Sequence, residues 1–418
     1  MHKIFKFGGA SVKDVEAVRN LKTILEIYKN EKLIVVISAI GKMTNQFEKL
    51  LDSWYFEPES LKSNFEIIKN YHLDITKQLE NSSGEITAVL LPIFDRLFEI
   101  LSEKHSNHYD KDYDNIISFG EYLSTKLIST YLNLNGFENH FACAIDLVKT
   151  DDNFREGKID WKETEKAIRD FVEKNPNKTI ITQGFIGGTM NNEVTTLGRE
   201  GSDYSAAIFA YCLNASEVTI WKDVSGLLNA DPKFYHDAVK LNEISYQEAV
   251  ELAYYGATII HPKTIKPLQN KKIPLFVKSF LAPCDEGSKI SEVEPLHKTP
   301  SYIFKTEQIL LSIFPKDYSF IDAENLMKIF SFISKNKLKI NLMQNSAMSF
   351  TICMDNKPNR FANLLKDLEN NFAVRYNMNA KLITIRHFTP EEIEKVIGNQ
   401  SVLLEQRSRT TLQVVIKN

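Results

Sequence analysis

The sequence predicts a three-layer αβα domain followed by two small α+β modules, the second one short, and three observations predict it. A continuously apolar run, Leu33-Ile34-Val35-Val36-Ile37, follows an amphipathic helical pattern, the mark of a parallel sheet covered on both faces. Further strand-like runs at Thr179 to Thr182, Val218 to Trp221 and Leu275 to Val277 are separated by helical patterns, as three layers require. Beyond residue 305 a strand, helix, strand, strand order occurs twice. A chain of 418 residues is also too long for one ordinary core.

Lys3 to Phe7 reads as the first strand and Gly8-Gly9 as its turn. Val12, Val15, Val18, Leu21, Ile24 and Tyr28 then recur at helical spacing before the apolar run closes a βαβ unit. From about 51 to 110 the pattern becomes Glu, Lys and Leu with little Gly or Pro, which predicts helices inserted into the sheet topology as a lid or a dimer face. A later helix starts near Ser245, with Ser245 and Glu248 at capping-box spacing, and stops at Gly256. These elements predict one large domain over 1–280. Pro283, Gly287, Pro295 and Pro300 break every period over 281–305, which reads as a linker. The first module then covers 306–378, with Ile309 to Phe314, Leu326 to Ile333, Leu338 to Met343 and Met348 to Met354. The second covers 379–418, with Leu382 to Ile385, Ile393 to Ile397, Val402 to Glu405 and Leu412 to Ile416.

Composition excludes several classes of function. The chain has 51 Lys and Arg against 54 Asp and Glu, a net charge of −3, and no basic run, so nucleic acid is not expected as a partner. A hydrophobic content of 43% argues for packed cores over disorder. Apolar runs fall far short of the roughly 20 residues of a membrane helix, and the first residues lack a signal-peptide pattern, so a cytoplasmic location and no membrane partner are expected. Cys143, Cys212, Cys284 and Cys353 form no Cys-x-x-Cys pair, which predicts buried structural thiols and no protein-held metal.

Four segments bear on chemistry. Lys6-Phe7-Gly8-Gly9-Ala10-Ser11 sets a lysine at a strand end, glycines in the turn and a hydroxyl at the next helix start, an arrangement suited to polyphosphate, though a plain tight turn has the same look. It matches neither the Walker nor the dinucleotide glycine pattern. Thr195 to Ser205 joins a glycine turn to a helix and carries Arg199, a residue suited to gripping a carboxylate, and Asp203, which either caps the helix or serves a reacting centre. Ser118-Phe119-Gly120-Glu121 reads as an acid at a helix start, fit to hold an ammonium group or to balance the helix dipole. Trp221 to Lys233 makes a polar loop after a strand, either a nucleotide loop or a solvated one.

In this order the segments closely resemble aspartate kinases of the amino acid kinase superfamily. The matching residues are Lys6 to Val12, Ser38 to Asn45, Phe119-Gly120-Glu121, Thr182 to Gly187, Thr196 to Asp203, Trp221 to Lys233, Gly256-Ala257 and His261-Pro262. The resemblance covers essentially the whole chain, and the terminal repeats look like the ACT modules with which that family senses amino acids. It implies that Lys6, Gly8, Gly9 and Ser11 meet the phosphoryl group and that Asp203 orients Lys6. It implies too that Ser38, Thr44, Glu121, Arg199 and Ser202 bind L-aspartate, with Glu121 on the ammonium and Arg199 on the α-carboxylate. Lys222, Asp223, Leu228, Lys233 and Thr258 would bind ATP, with Mg²⁺ on its phosphates. The implied activity is ATP-dependent formation of 4-phospho-L-aspartate, the first step toward lysine, threonine and methionine. No histidine is needed, and His105 and His108 are expected on a solvated surface.

The chain departs from the family pattern at three places. Ala10 stands where threonine is usual, and Thr258 where many members have lysine. Asn341 and Ala347 replace acids of some lysine-inhibited members. A lysine ammonium would thereby lose charge-assisted bonds of roughly 1.5 to 3 kcal/mol each. Asn341, Asn345 and Ser346 are the expected effector contacts, with threonine, another amino acid or no effector as alternatives. The second module stops after its fourth element, which predicts support from the first module or a partner chain, and so a homodimer. Two other functions stay open: a related kinase acting on glutamate, and an amino-acid sensor whose kinase has lost activity through Ala10 and Thr258.

Overall fold

The apolar run after the first helical pattern forms the middle of a sheet. β1 (His2–Phe7), α1 (Val15–Ile27) and β2 (Lys32–Ile37) make a βαβ unit in which β1 and β2 pair in parallel. Ile4, Phe5, Phe7 and Leu33 to Ile37 are buried, because helices cover both faces. Asp14 caps α1 by accepting from the Ala17 amide at 2.9 Å. The computed structural model describes residues 1–80, 84–176, 178–257, 260–293, 298–317 and 319–417. It separates into two units, the first of Met1–Leu227, Lys240–Val250 and Ile260–Pro295, the second of Leu228–Val239, Glu251–Ile259 and Leu296–Asn418.

In the first unit four helices follow β2: α2 (Met43–Phe56), α3 (Pro58–Leu79), α4 (Glu85–Ser102) and α5 (Tyr109–Leu134). The helical insertion therefore begins at Met43, earlier than residue 51, and its last helix runs on through Glu121. Phe47, Leu50, Phe65, Ile68, Leu90, Phe94 and Leu97 join one core with the α1 and β2 side chains. The chain continues through β3 (Asn139–Ala142), α6 (Ala144–Leu147), α7 (Trp161–Lys174), β4 (Thr179–Gln183), β5 (Ile186–Gly188), β6 (Val194–Thr196), α8 (Gly201–Leu213) and β7 (Glu217–Lys222). Then come β8 (Leu227–Leu228), β9 (Lys240–Leu241), β10 (Glu243–Ser245), α9 (Tyr246–Tyr255), α10 (Pro262–Asn270), β11 (Leu275–Ser279) and β12 (Ser288–Ser291), with Leu228 and the end of α9 from Glu251 counted in the second unit. The expected cap of α9 is present, with the Glu248 amide donating to Ser245 Oγ at 3.1 Å. Strand order in the main sheet is β10-β12-β11-β7-β1-β2-β4-β3, with β11 and β12 its antiparallel neighbours.

The second unit carries β13 (Ser301–Pro315), α11 (Ala323–Lys335), β14 (Ile340–Asn345), β15 (Phe350–Asp355), α12 (Pro358–Glu369), β16 (Phe372–Arg386), α13 (Pro390–Ile397), β17 (Val402–Arg407) and β18 (Thr411–Ile416). They form one antiparallel sheet in the order β14-β15-β13-β16-β18-β17. Three sequence expectations change here. The expected linker holds β12 and the start of β13, because Ser288, Ile290 and Tyr302 are buried and paired. The expected module boundary at 378/379 falls inside β16, one strand of 15 residues. The short second module is completed by Ser301 to Lys305 of β13, which pair with Arg386 to Leu382, so its extra strand comes from upstream in the chain.

Cys212 and Cys353 are buried as expected, but Cys143 is only half-buried and Cys284 is exposed. His108 is exposed, whereas His105 is half-buried and stacks on Tyr55 at 4.0 Å between ring centroids. Among the described residues no helix is long and apolar enough to cross a membrane.

Candidate active site

Parallel strands end together, and their C-terminal ends open a crevice where ligands collect. β1, β2 and β7 are neighbours, and Lys6, Ser38 and Lys222 stand at those ends around a cavity of about 820 Å³. Lys6 lies between Val36 and Ile220 in register, with its side chain 11% exposed. Its Nζ reaches Asp203 Oδ1 at 2.7 Å. The glycine turn fits tightly behind it. A Cβ on Gly9 would stand 2.3 Å from the Gly41 carbonyl oxygen, and the Gly41 amide donates to Gly9 O at 3.0 Å.

Asp203 comes from the first turn of α8, which starts after a strained turn. Gly198 and Glu200 are left-handed, with φ of 75° and 54°, and Glu200 is held there as its Oε2 accepts from the His261 amide at 2.9 Å. A side chain on Gly201 would run into the Phe185 ring at 2.6 Å. Close approach of the two turns therefore aims the N-terminus of α8, with Ser202 and Asp203, into the cavity. Asp203 stands in the first turn of α8 and also forms an ion pair with Lys6 at 2.7 Å.

Glu121 is not at a helix start: it sits in the middle of α5, where Gly120 lets the helix pack against Ala39 and Phe47. It is 3% exposed, and its Oε1 accepts a long bond from the Ala39 amide at 3.4 Å. Burial pushes its carboxyl up to about 8, against the opposing pull of backbone donors and Lys6. Thr44, Arg199 and Ser38 also line the cavity.

The remaining sequence candidates are distributed differently. Ser11 does not face the cavity: it is 2% exposed and its hydroxyl donates to the Trp221 carbonyl at 3.0 Å, tying the glycine turn to β7. Asp223 is exposed just beyond β7. Leu228 and Lys233 belong to the second unit, and Thr258 lies outside the described residues. In the second unit the Asn341 amide donates to Gln308 Oε1 and Asp355 Oδ1, both at 2.8 Å, and its oxygen accepts from Lys305 Nζ at 2.8 Å. Asn345 and Ser346 are exposed at the far end of β14, Ser346 in a turn with Ser349. Asn341 and Asn345 are four steps apart along the strand, about 13 Å, so the three do not form one cluster.

Sequence reading missed Asp110, Tyr113, Arg155 and Glu156, which also line the cavity. Asp110 and Tyr113 sit inside a helical pattern, where exposed acids and tyrosines are ordinary, and Arg155 follows an aperiodic polar run. Among the described residues no group of three or more His, Cys, Asp or Glu is placed to hold a metal ion.

A mainly parallel sheet whose strand ends present a lysine, a glycine turn and a helix N-terminus around one cavity defines an α/β protein with its candidate ligand site at the carboxyl ends of its strands. The family model of the amino acid kinase family matches residues 1–279, and the chain belongs to that family. It is 30% identical over 364 residues to aspartokinase 1, chloroplastic, of Arabidopsis thaliana, a match that covers 84% of this chain but 63% of that protein. To lysine-sensitive aspartokinase 3 of Escherichia coli it is 29% identical over 361 residues, covering 84% of this chain and 78% of that one. Its fold is similar to that of E. coli aspartokinase III in complex with aspartate and ADP, with a TM-score of 0.83, 24% identity, and coverage of 100% of this chain and 96% of that chain.

Proposed function

We propose that the chain is an aspartate kinase, which transfers the γ-phosphoryl group of ATP to the side-chain carboxylate of L-aspartate and releases ADP and 4-phospho-L-aspartate. The observation that carries this reading is the Lys6–Asp203 pair at 2.7 Å in one cavity with Glu121 and Arg199. An ionised carboxylate is already a nucleophile, so the chemistry needs no general base. Catalysis reduces to in-line positioning and to neutralising charge on the transferred group. Lys6, Gly8 and Gly9 supply charge and backbone donors to that group, and Asp203 aims Lys6. Glu121 takes the ammonium of aspartate and Arg199 its α-carboxylate, with Ser38, Thr44 and Ser202 beside them. Lys222 and Asp223 begin the nucleotide loop, to which Leu228, Lys233 and Thr258 are assigned by resemblance. Mg²⁺ would neutralise charge on the ATP phosphates, its usual habit, and among the described residues no cluster of three or more His, Cys, Asp or Glu is placed to hold it.

The second unit is proposed as an amino-acid-regulated ACT pair, and the assembly as a homodimer. Asn341 is already engaged with Lys305, Gln308 and Asp355, which favours an effector other than lysine at that position. ADP release with Mg²⁺-ATP and aspartate, repeated with glutamate and with lysine, threonine and methionine added singly, tests the reading. Turnover with aspartate alone is expected. Turnover with glutamate, or none with either, would sink it, and the second outcome would favour a sensor.

A further inference from the structure

Asp114 lies on α5 two turns before Glu121, so the two carboxylates share one helix face about 10 Å apart. Its side chain is fully buried. Every donor that satisfies it comes from another segment. The Arg155 amide donates to Oδ2 at 2.8 Å, the Thr196 amide to the same oxygen at 2.9 Å, and Thr196 Oγ1 to Oδ1 at 2.7 Å.

Both partners belong to the cavity wall, with Thr196 ending β6 three residues before Arg199. Arg155 has left-handed backbone, φ 69°, a state that a non-glycine residue keeps only where its surroundings impose it. Its guanidinium lies 4.1 Å from the Tyr113 ring centroid and 3.3 Å from Asp110 Oδ1, so α5 holds it by side chain as well as by main chain. Three donors with no donor in return is what an ionised carboxylate accepts. An asparagine keeps one oxygen for the two amides but sets its NH2 against Thr196 Oγ1, which must turn from donor to acceptor, and the charge that strengthens all three bonds is lost.

We infer that Asp114 is the positioning residue of the amino-acid subsite: it sets the Thr196–Arg199 segment and the Arg155 turn against Glu121, so that the ammonium-binding and carboxylate-binding groups stand at the spacing of one small amino dicarboxylic acid. The inference rests on the aspartate kinase reading. Lys6 is held by Asp203, and β7 by its pairing with β1 and β11, so the phosphoryl and nucleotide side stands on other contacts. Loss of Asp114 is therefore selective for the amino acid.

The full chain, assayed for ADP release, tests this with Asp114→Asn, Thr196→Val and Thr196→Ser. The KM for aspartate should rise roughly tenfold or more in Asp114→Asn, with kcat and the KM for ATP within about threefold of wild type. Thr196→Val should move the aspartate KM in the same direction by less, and Thr196→Ser, which keeps the hydroxyl, should restore it. Hydrogen exchange should show lost protection over residues 153–157 and 194–199 in Asp114→Asn. If that variant fails to fold, the Val and Ser pair decides alone. Wild-type turnover with an unmoved aspartate KM, or with both KM values raised together, overturns the role of Asp114 alone. No aspartate turnover by wild type overturns the kinase reading and the subsite with it.

Discussion

At the residue scale the site holds three buried ionisable groups in two different settings. Lys6 and Asp203 neutralise each other at 2.7 Å, whereas Glu121 has only one long bond and burial around it. Lys6→Ala should lower kcat by about a hundredfold or more, the range seen when one stabilising charge is removed from a transition state. Because Lys6 and Asp203 act as a unit, the double variant with Asp203→Asn should fall little further than Lys6→Ala, and additive losses would contradict the pairing. For Glu121, ammonium binding needs the carboxylate, and the free site holds the acid form below about 8. The apparent KM for aspartate should accordingly fall as pH rises through about 8, and Glu121→Gln should flatten that profile. Lys6, Gly9, Arg199, Ser202 and Asp203 stand in the cavity wall, and their place there was legible because each belongs to a short contiguous turn at a strand end or helix start. Ser11 misled because its hydroxyl has a partner 210 residues away, the Trp221 carbonyl, and Asp114 was invisible because its three donors come from two distant segments.

Elements were legible where periodicity is strong and hidden where an element ends without punctuation. The helical insertion was placed from its composition, but α5 carries no Gly or Pro break before Glu121 other than Gly120, which packs inside the helix, so its true start at Tyr109 was missed. Within α3 the buried stripe runs Phe65, Ile68, His72, Ile75, Leu79, and a histidine on that stripe costs pH range. His72 is fully buried, its Nδ1 2.8 Å from the Ile68 carbonyl, and burial lowers its pKa from 6.5 to about 4. The folded chain therefore stays unprotonated where the unfolded chain takes a proton. Stability should be full above pH 6.5 and fall as pH drops toward about 4, by about 3 kcal/mol if the whole shift is expressed. His72→Phe removes the titrating group and should reduce the slope of Tm against pH over that window. An identical slope in the variant would place the acid sensitivity elsewhere.

At the scale of the whole chain, the sequence suggested two consecutive modules where the second unit has one sheet with interleaved halves. The cause is strand length: β13 and β16 each run 15 residues and pair along their length, interrupted near Glu307, so the second half-sheet takes Ser301 to Lys305 from upstream of the first module, whereas β15 pairs with the later part of β13, and β14 with β15, on their own side of the expected boundary. No local pattern marks this, since an apolar run reads the same whichever partner it pairs with. Alternation along β13 sends Ile309, Leu311 and Ile313 into one cluster and Leu310 into another, with Leu342, Cys353, Ala380, Leu382 and Val415. That second cluster draws β14 and β15 together with β16 and β18, so it ties both halves to one stability. Leu382 is 2% exposed there, and Leu382→Ala should cost about 2–5 kcal/mol. If the halves share this cluster, hydrogen exchange in the variant should show β14 and β15 losing protection in step with β17 and β18, as one cooperative unit. Loss confined to β17 and β18 would mean that the two halves unfold separately, and that continuous strands do not by themselves couple them.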